Sequence, residues 1–201
     1  MLIAFAGIDG SGKSTQIDLL KKFLSKKGYL VAISKACGDK EKKSLARFFK
    51  SWDDLAITFL FQGLHRQQYI DAIKNLREGK IVLADRWDET YLSFHRCFGF
   101  LSGDKRFRLK LNHLAFNGLL PDLTFFISVP PQEAHRRLAS RGKDFLDKGS
   151  LQYHSQIEKS IRESLRDRNP ILINGTQEIN KIHLIIIEKV LAYLGKNKLS
   201  K

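Results

Sequence analysis

Cysteine is scarce in this chain of 201 residues: Cys37 and Cys97 are the only two, and no Cys-x-x-Cys occurs. Two cysteines set far apart make neither a disulfide framework nor a zinc ribbon, so the sequence predicts a protein of a reducing compartment, the cytoplasm. Long apolar runs are missing too. The longest, 123–129 and 184–187, fall well short of the ~18–20 residues that cross a bilayer, so no membrane-spanning segment is expected. Residues 1–6 are apolar but lack a basic leader, and a glycine-rich stretch follows where a cleavage site would stand, which argues against a secretory signal. Internal repeats, low-complexity tracts and linker-like segments are absent. Acidic side chains are in deficit, with Lys+Arg 35 against Asp+Glu 21 and a net charge of +14. That excess favours a polyanionic partner: nucleic acid, a membrane surface or a nucleotide phosphate.

The apolar share is 43%, enough to fill the single core expected of a chain this long, so one domain over 1–201 is the default. Short runs rich in Ile, Val, Leu and Phe, at 2–6, 29–34, 81–85, 123–129 and 171–174, are of strand length and end at polar or turn residues. Their lack of alternation predicts burial on both faces, hence a parallel sheet between helices. Helical stretches separate them, at 13–27, 53–79 (one or two helices), 88–97, 104–119, 131–141, 151–168 and 178–194. The alternation predicts a doubly wound α/β domain of three α/β/α layers with five parallel strands.

Gly7-Ile8-Asp9-Gly10-Ser11-Gly12-Lys13-Ser14 matches G-x-x-x-x-G-K-[ST] in full. It follows an apolar strand and opens a helix, the context in which such a run binds phosphate. Glycines let successive backbone N–H groups curl around phosphate oxygens, and the helix N-terminus adds partial positive charge. Lys13 is expected at the β- and γ-phosphates and Ser14 on Mg²⁺, with Gly7, Gly10, Ser11, Gly12 and Thr15 completing the ATP cradle. The strand at 81–85 ends in Asp85-Arg86-Trp87. A carboxylate there can hold Mg²⁺ through water, and the next arginine can grip a second anion.

These residues resemble the thymidylate kinases of the nucleoside monophosphate kinase superfamily. The loop 7–16 looks like that family's phosphate loop down to the aspartate at its third position. Asp85-Arg86-Trp87 resembles its Asp-Arg-Tyr/His signature, and Pro121-Asp122-Leu123-Thr124 and Val129-Pro130-Pro131 its fourth strand and turn. The resemblance implies a P-loop fold with a short lid at about 140–150, ATP and Mg²⁺ as cofactors, and transfer of a phosphoryl group to a nucleoside monophosphate, dTMP first. It implies that Arg66, in His65-Arg66-Gln67-Gln68, binds the acceptor phosphate together with Arg86. It also puts Asp9 at the acceptor sugar, Phe94 at the acceptor base, Asn174 near adenine, and Arg137 and Arg141 at the transferred group. The phosphate loop has no arginine, so the charge of an arginine finger must come from that helix end. A homodimer is common in that family, and an apolar face at 59–61 and 104–119 would serve it; nucleic acid and membrane are not the expected partners.

Departures from the pattern lie on the acceptor side. The family's Arg-Glu-Pro-Gly-Gly-Thr segment reads Lys35-Ala36-Cys37-Gly38-Asp39-Lys40, and its Ala-Tyr-Gln triplet reads Ser93-Phe94-His95. Two other readings therefore stay open: a P-loop kinase of another nucleotide or a deoxynucleoside, and a nucleotide-binding regulator without turnover. The six histidines show no ligand spacing, and Asn180-Lys181-Ile182-His183 lacks the aspartate of a guanine-reading motif.

Overall fold

Strand β1, Leu2–Ala6, is buried at every position and lies at the centre of one sheet. The computed structural model describes residues 1–38, 44–45, 51–97, 103–140 and 150–198. Around β1, the strands β2 (Val31–Lys35), β3 (Ile81–Asp85), β4 (Leu123–Ser128) and β5 (Ile171–Asn174) are ordered β2-β3-β1-β4-β5, and every pairing is parallel. Helices α1 (Lys13–Lys26), α2 (Asp54–Arg77), α3 (Asp88–Cys97), α4 (Lys105–Phe116), α5 (Pro131–Ala139), α6 (Leu151–Ser164) and α7 (Ile179–Lys198) fill the connections.

Alternate strand residues point to opposite faces, which divides the core into two layers. Ile3, Phe5, Leu83, Phe125 and Ile127 pack against Ile17, Leu20 and Leu24 of α1 and Ile182, Ile186 and Val190 of α7. Leu2, Ala4, Val82 and Ala84 face the other way, onto α2, α3 and α4 through Ala72, Tyr91, Leu111 and Phe116. Beyond them Ala6, Ile8, Phe126 and Val129 pack on Ala134 of α5 and Ile157 and Ile161 of α6. The expected three-layer α/β/α arrangement is the one observed. No helix among the described residues is long and apolar enough to cross a membrane.

Local signals set most boundaries. Asp53, Asp104 and Ser150 cap α2, α4 and α6 by accepting from the backbone N–H three residues on, and Pro131 occupies the first turn of α5. Some expectations shift. The region at 53–79 is one helix of 24 residues. The helix expected over 151–168 stops at Ser164, followed by a 3-10 turn, Arg166–Arg168, and Asn169 in the left-handed region. Helix α7 runs on to Lys198, past the end expected at 194. The expected lid lies almost wholly outside the described residues.

Candidate active site

Between β1 and α1 the backbone turns through left-handed conformations at Gly7, Gly10 and Gly12, with φ of 145°, 80° and 98°. A Cβ on Gly7 would lie 2.4 Å from the carbonyl oxygen of Ile127, and one on Gly10 2.5 Å from that of Ala134. Strand β4 and helix α5 thus close on the loop as only glycine permits. Gly12 has nothing within 4 Å of such a Cβ; its constraint is φ alone. As the N-cap of α1, Gly12 offers no side-chain acceptor, so the first N–H groups of α1 face the loop as a ready anion site.

Lys13 is buried and reaches back across this loop, its Nζ donating to the Ile8 carbonyl at 2.8 Å and to Ser11 Oγ at 3.4 Å. Burial, then the nearby Arg86 charge, lowers its pKa to about 8, against the pull of Asp9 and Asp85. Asp85 ends β3, and its Oδ2 accepts from Ser14 Oγ at 3.2 Å and pairs with Lys35 Nζ at 3.1 Å. Burial alone would raise the Asp85 pKa, but Lys13, Arg86 and Lys35 outweigh it and hold the carboxyl below its ordinary range. A hydroxyl and a carboxylate side by side at the head of α1 fit a hard, largely hydrated cation such as Mg²⁺. Among the described residues, no group of three or more His, Cys, Asp or Glu side chains forms a further metal site.

Arg86 follows, with a positive φ of 74° that is unusual for a residue bearing a side chain. Its guanidinium donates to the Gly7 carbonyl at 2.7 Å and to Asp9 Oδ1 at 2.5 Å, binding the end of β3 to the phosphate loop. Burial works against its charge, yet Asp9 and Asp85 hold its proton more firmly than in free arginine. Phe94 on α3 lies under this group, 6.0 Å from guanidinium carbon to ring centre, with Tyr153 of α6 edge-on at 6.2 Å. Arg137 comes to the loop from the far side. It donates to the Gly175 carbonyl at 2.9 Å and to that of Gly10 at 3.5 Å, and Glu133 anchors its Nε at 2.7 Å.

Other expected residues fall elsewhere. Arg66 is not brought to Arg86. Its guanidinium donates to the Leu114 and Ala115 carbonyls at the end of α4, at 3.3 and 3.5 Å, and stacks over Tyr69. The same helix instead turns Gln68 to the site, where Nε2 donates to the Arg86 carbonyl at 3.0 Å. Asn174 Oδ1 accepts from Thr176 N at 3.0 Å and Thr176 Oγ1 at 2.8 Å, so its carbonyl serves its own turn. That turn packs on the loop, since a Cβ on Gly175 would sit 3.2 Å from the Ser11 carbonyl. Arg141 lies outside the described residues.

Residue reading missed several groups here. Lys35 opens the segment that departs from the resembling pattern, and only its strand register opposite Asp85 gives it a role. Glu89 is fully buried at the start of α3; burial and the adjacent Asp88 push its pKa up to about 7. His135 Nε2 and His154 Nδ1 meet at 2.7 Å and join α5 to α6. No spacing in the sequence announces that pair.

The sequence model of the family described as Thymidylate kinase matches residues 5–186. The chain belongs to the thymidylate kinase family. A thymidylate kinase of Thermoanaerobacter sp. (strain X514) is 30% identical over 201 residues, covering 96% of this chain and 98% of the relative. One from Thermosipho melanesiensis is 32% identical over 190 residues, covering 90% and 93%, and one from Sulfurihydrogenibium sp. 32% over 200, covering 94% and 95%. The thymidylate kinase match runs from the end of β1 into α7 and takes in β2 to β5 whole.

Two outcomes follow for this thymidylate kinase family member. Gly12→Ala meets only the φ penalty and is expected to cost about 1–2 kcal/mol, whereas Gly10→Ala adds a collision with Ala134 and costs more. Urea unfolding midpoints measure both, and equal costs would contradict the packing described. The second concerns His154. Burial, then His135, lowers its pKa, while Asp9 opposes them. The unfolded chain then binds more protons below its ordinary 6.5, so this group's share of stability is present above that value and lost on acidification through it. Between about pH 7.5 and 5.5, His154→Gln is expected to lose less melting temperature than the parent; parallel losses would contradict it.

Proposed function

We propose that this protein transfers the γ-phosphoryl group of ATP to dTMP, giving ADP and dTDP. A phosphate oxygen of dTMP forms the new bond to the γ-phosphorus as the bond to the β-bridging oxygen breaks and ADP leaves. The acceptor phosphate is mostly dianionic near neutral pH, its second pKa being about 6, so no general base has to deprotonate the nucleophile. The protein's task is to hold two anions in line and balance the charge between them.

The loop from Gly7 to Thr15 takes the donor phosphates, with Lys13 leaving the Ile8 carbonyl for a phosphate oxygen. Ser14 and Asp85 would hold Mg²⁺, which when bound neutralises charge on the β- and γ-phosphates. Arg86 receives the acceptor phosphate. Its planar fork, now on Asp9 and Gly7, can exchange onto two phosphate oxygens and release Asp9 toward the acceptor sugar. Phe94 beneath it offers a packing surface for the base. Arg137, beside Gly10, supplies positive charge at the donor end, and Lys35 adds a cation on the Asp85 side.

One observation carries this reading. A buried ammonium in a glycine cradle stands close to a partly buried guanidinium with left-handed backbone, in a chain that matches the thymidylate kinase family over 5–186. The second cation favours a phosphorylated acceptor over a neutral nucleoside. A homodimer through α2 and α4 belongs to the same proposal; these helices pack together and leave Phe59 and Leu114 more than half exposed. Nucleotide substrates and two distant cysteines suit the cytoplasm.

Coupled ADP release against a panel of nucleoside monophosphates and nucleosides tests the assignment. Turnover is expected first with dTMP; turnover with nucleosides alone, or with no acceptor, would overturn it. Lys13→Ala should lower kcat by about 10²–10³ or more with the fold intact, and a parent-like rate would sink the role of the loop. Arg86→Ala should raise the dTMP KM far more than the ATP KM, while Arg66→Ala should move either by less than about threefold. A large dTMP effect at Arg66 would restore that residue to the site.

A further inference from the structure

The conformation of Arg86 is held by more than its own side chain. Its N–H donates to the Phe5 carbonyl at 3.1 Å, which closes the β1–β3 ladder. The next peptide is gripped on both sides: its carbonyl, on Arg86, accepts from Gln68 Nε2 at 3.0 Å, and its N–H, on Trp87, donates to Glu89 Oε1 at 3.2 Å. Both side chains are buried, Gln68 at 2% and Glu89 at 1% exposure. Each is itself oriented, Gln68 Oε1 by His65 Nδ1 at 3.4 Å and Glu89 Oε1 by the Thr90 hydroxyl at 2.9 Å. Buried polar groups are costly unless bonded. Here two of them, from two helices, are spent on the one peptide that follows a left-handed, non-glycine residue.

We propose that Gln68 and Glu89 clamp the Arg86–Trp87 peptide and act as positioning residues, holding Arg86 left-handed so that its guanidinium meets the acceptor phosphate. The proposal rests on the reading of Arg86 as the acceptor-phosphate ligand. A left-handed backbone is disfavoured for a residue with a Cβ and persists only where its surroundings over-determine it. With the Arg86 N–H held on Phe5, a change of its φ would carry this peptide and the Cα–Cβ bond together, and with them the reach toward Asp9 and Gly7. The clamp has a chemical asymmetry. Gln68 must donate, whereas Glu89 must only accept, which an amide oxygen does as well.

The test compares Gln68→Ala, Gln68→Met, Glu89→Ala and Glu89→Gln, after thermal unfolding has shown each folded at the assay temperature. The readouts are dTMP binding by calorimetry without ATP, and the separate KM values for dTMP and ATP. The clamp predicts that Gln68→Ala, Gln68→Met and Glu89→Ala weaken dTMP binding and raise its KM about ten- to a hundredfold, with the ATP KM within about twofold. Glu89→Gln stays within about threefold of the parent, the rescue that a purely charged role would not give. The Trp87 amide gives a readout without ligand: its hydrogen exchange should be slow in the parent and in Glu89→Gln, and at least about tenfold faster in Glu89→Ala. Parent-like dTMP binding in all four variants, equal damage from Glu89→Gln and Glu89→Ala, or unchanged Trp87 exchange would overturn the clamp. If the parent itself neither binds nor phosphorylates dTMP, the functional reading fails, and the Trp87 amide alone then decides whether the clamp exists.

Discussion

Two cations, a buried Lys13 and a partly buried Arg86, sit at the carboxyl edge of the sheet, close enough that the Arg86 charge helps to lower the Lys13 pKa. Little else in the fold would be arranged as it is without them. Asp9 and Asp85 stand beside them as counter-charges, and the loop carbonyls of Gly7 and Ile8 accept their N–H groups. Such a site is compensated but not neutral. Burial and then the Arg86 charge lower the Lys13 pKa, and an entering polyanion would favour its charged form. The same economy explains the left-handed glycines, which bring backbone N–H groups to the place where those anions would lie.

The sheet supplies the precision. Parallel register sets Lys35 opposite Asp85 and Phe5 beside it, so the ends of β1, β2 and β3 deliver the loop, a lysine and the Asp-Arg pair to one line. From the other side, β4 leads into α5, whose Ala134 lies against Gly10, and β5 leads into the Gly175 turn, which lies against Ser11. Lys35 and Asp85 sit on strand ends and Lys13 in the first turn of α1, positions that the sheet fixes. Helices α5 and α6 meet through the His135–His154 contact.

How much of this was legible follows from which distances the chain itself fixes. The phosphate loop, the strand leading into it and Asp85-Arg86 were readable because their geometry is local: eight residues in a row, or an acid at the end of an apolar run. The caps at Asp53 and Ser150 are equally local, each accepting from an N–H three residues on. The direction of Arg66 depends on helical phase, which no single residue announces. Gln68 stands two residues on, about 200° around the helix, so one faces α4 while the other faces Arg86. Lys35 and Glu89 gave no signal, since strand register and burial lend them their roles. His135 and His154 are joined only by the packing of two helices. Asn174 is expected near adenine, and in the structure its side-chain oxygen closes the Asn-Gly turn.

A crystal structure with adenosine and thymidine joined by a polyphosphate bridge puts the central claim to the most direct trial. The account predicts the bridge lying from the N–H groups of the glycine loop and Lys13 Nζ at one end to the Arg86 guanidinium at the other, with Asp9 released from Arg86. A bridge bound elsewhere, or one that leaves the Arg86–Asp9 pair and the Lys13–Ile8 contact intact, would contradict it.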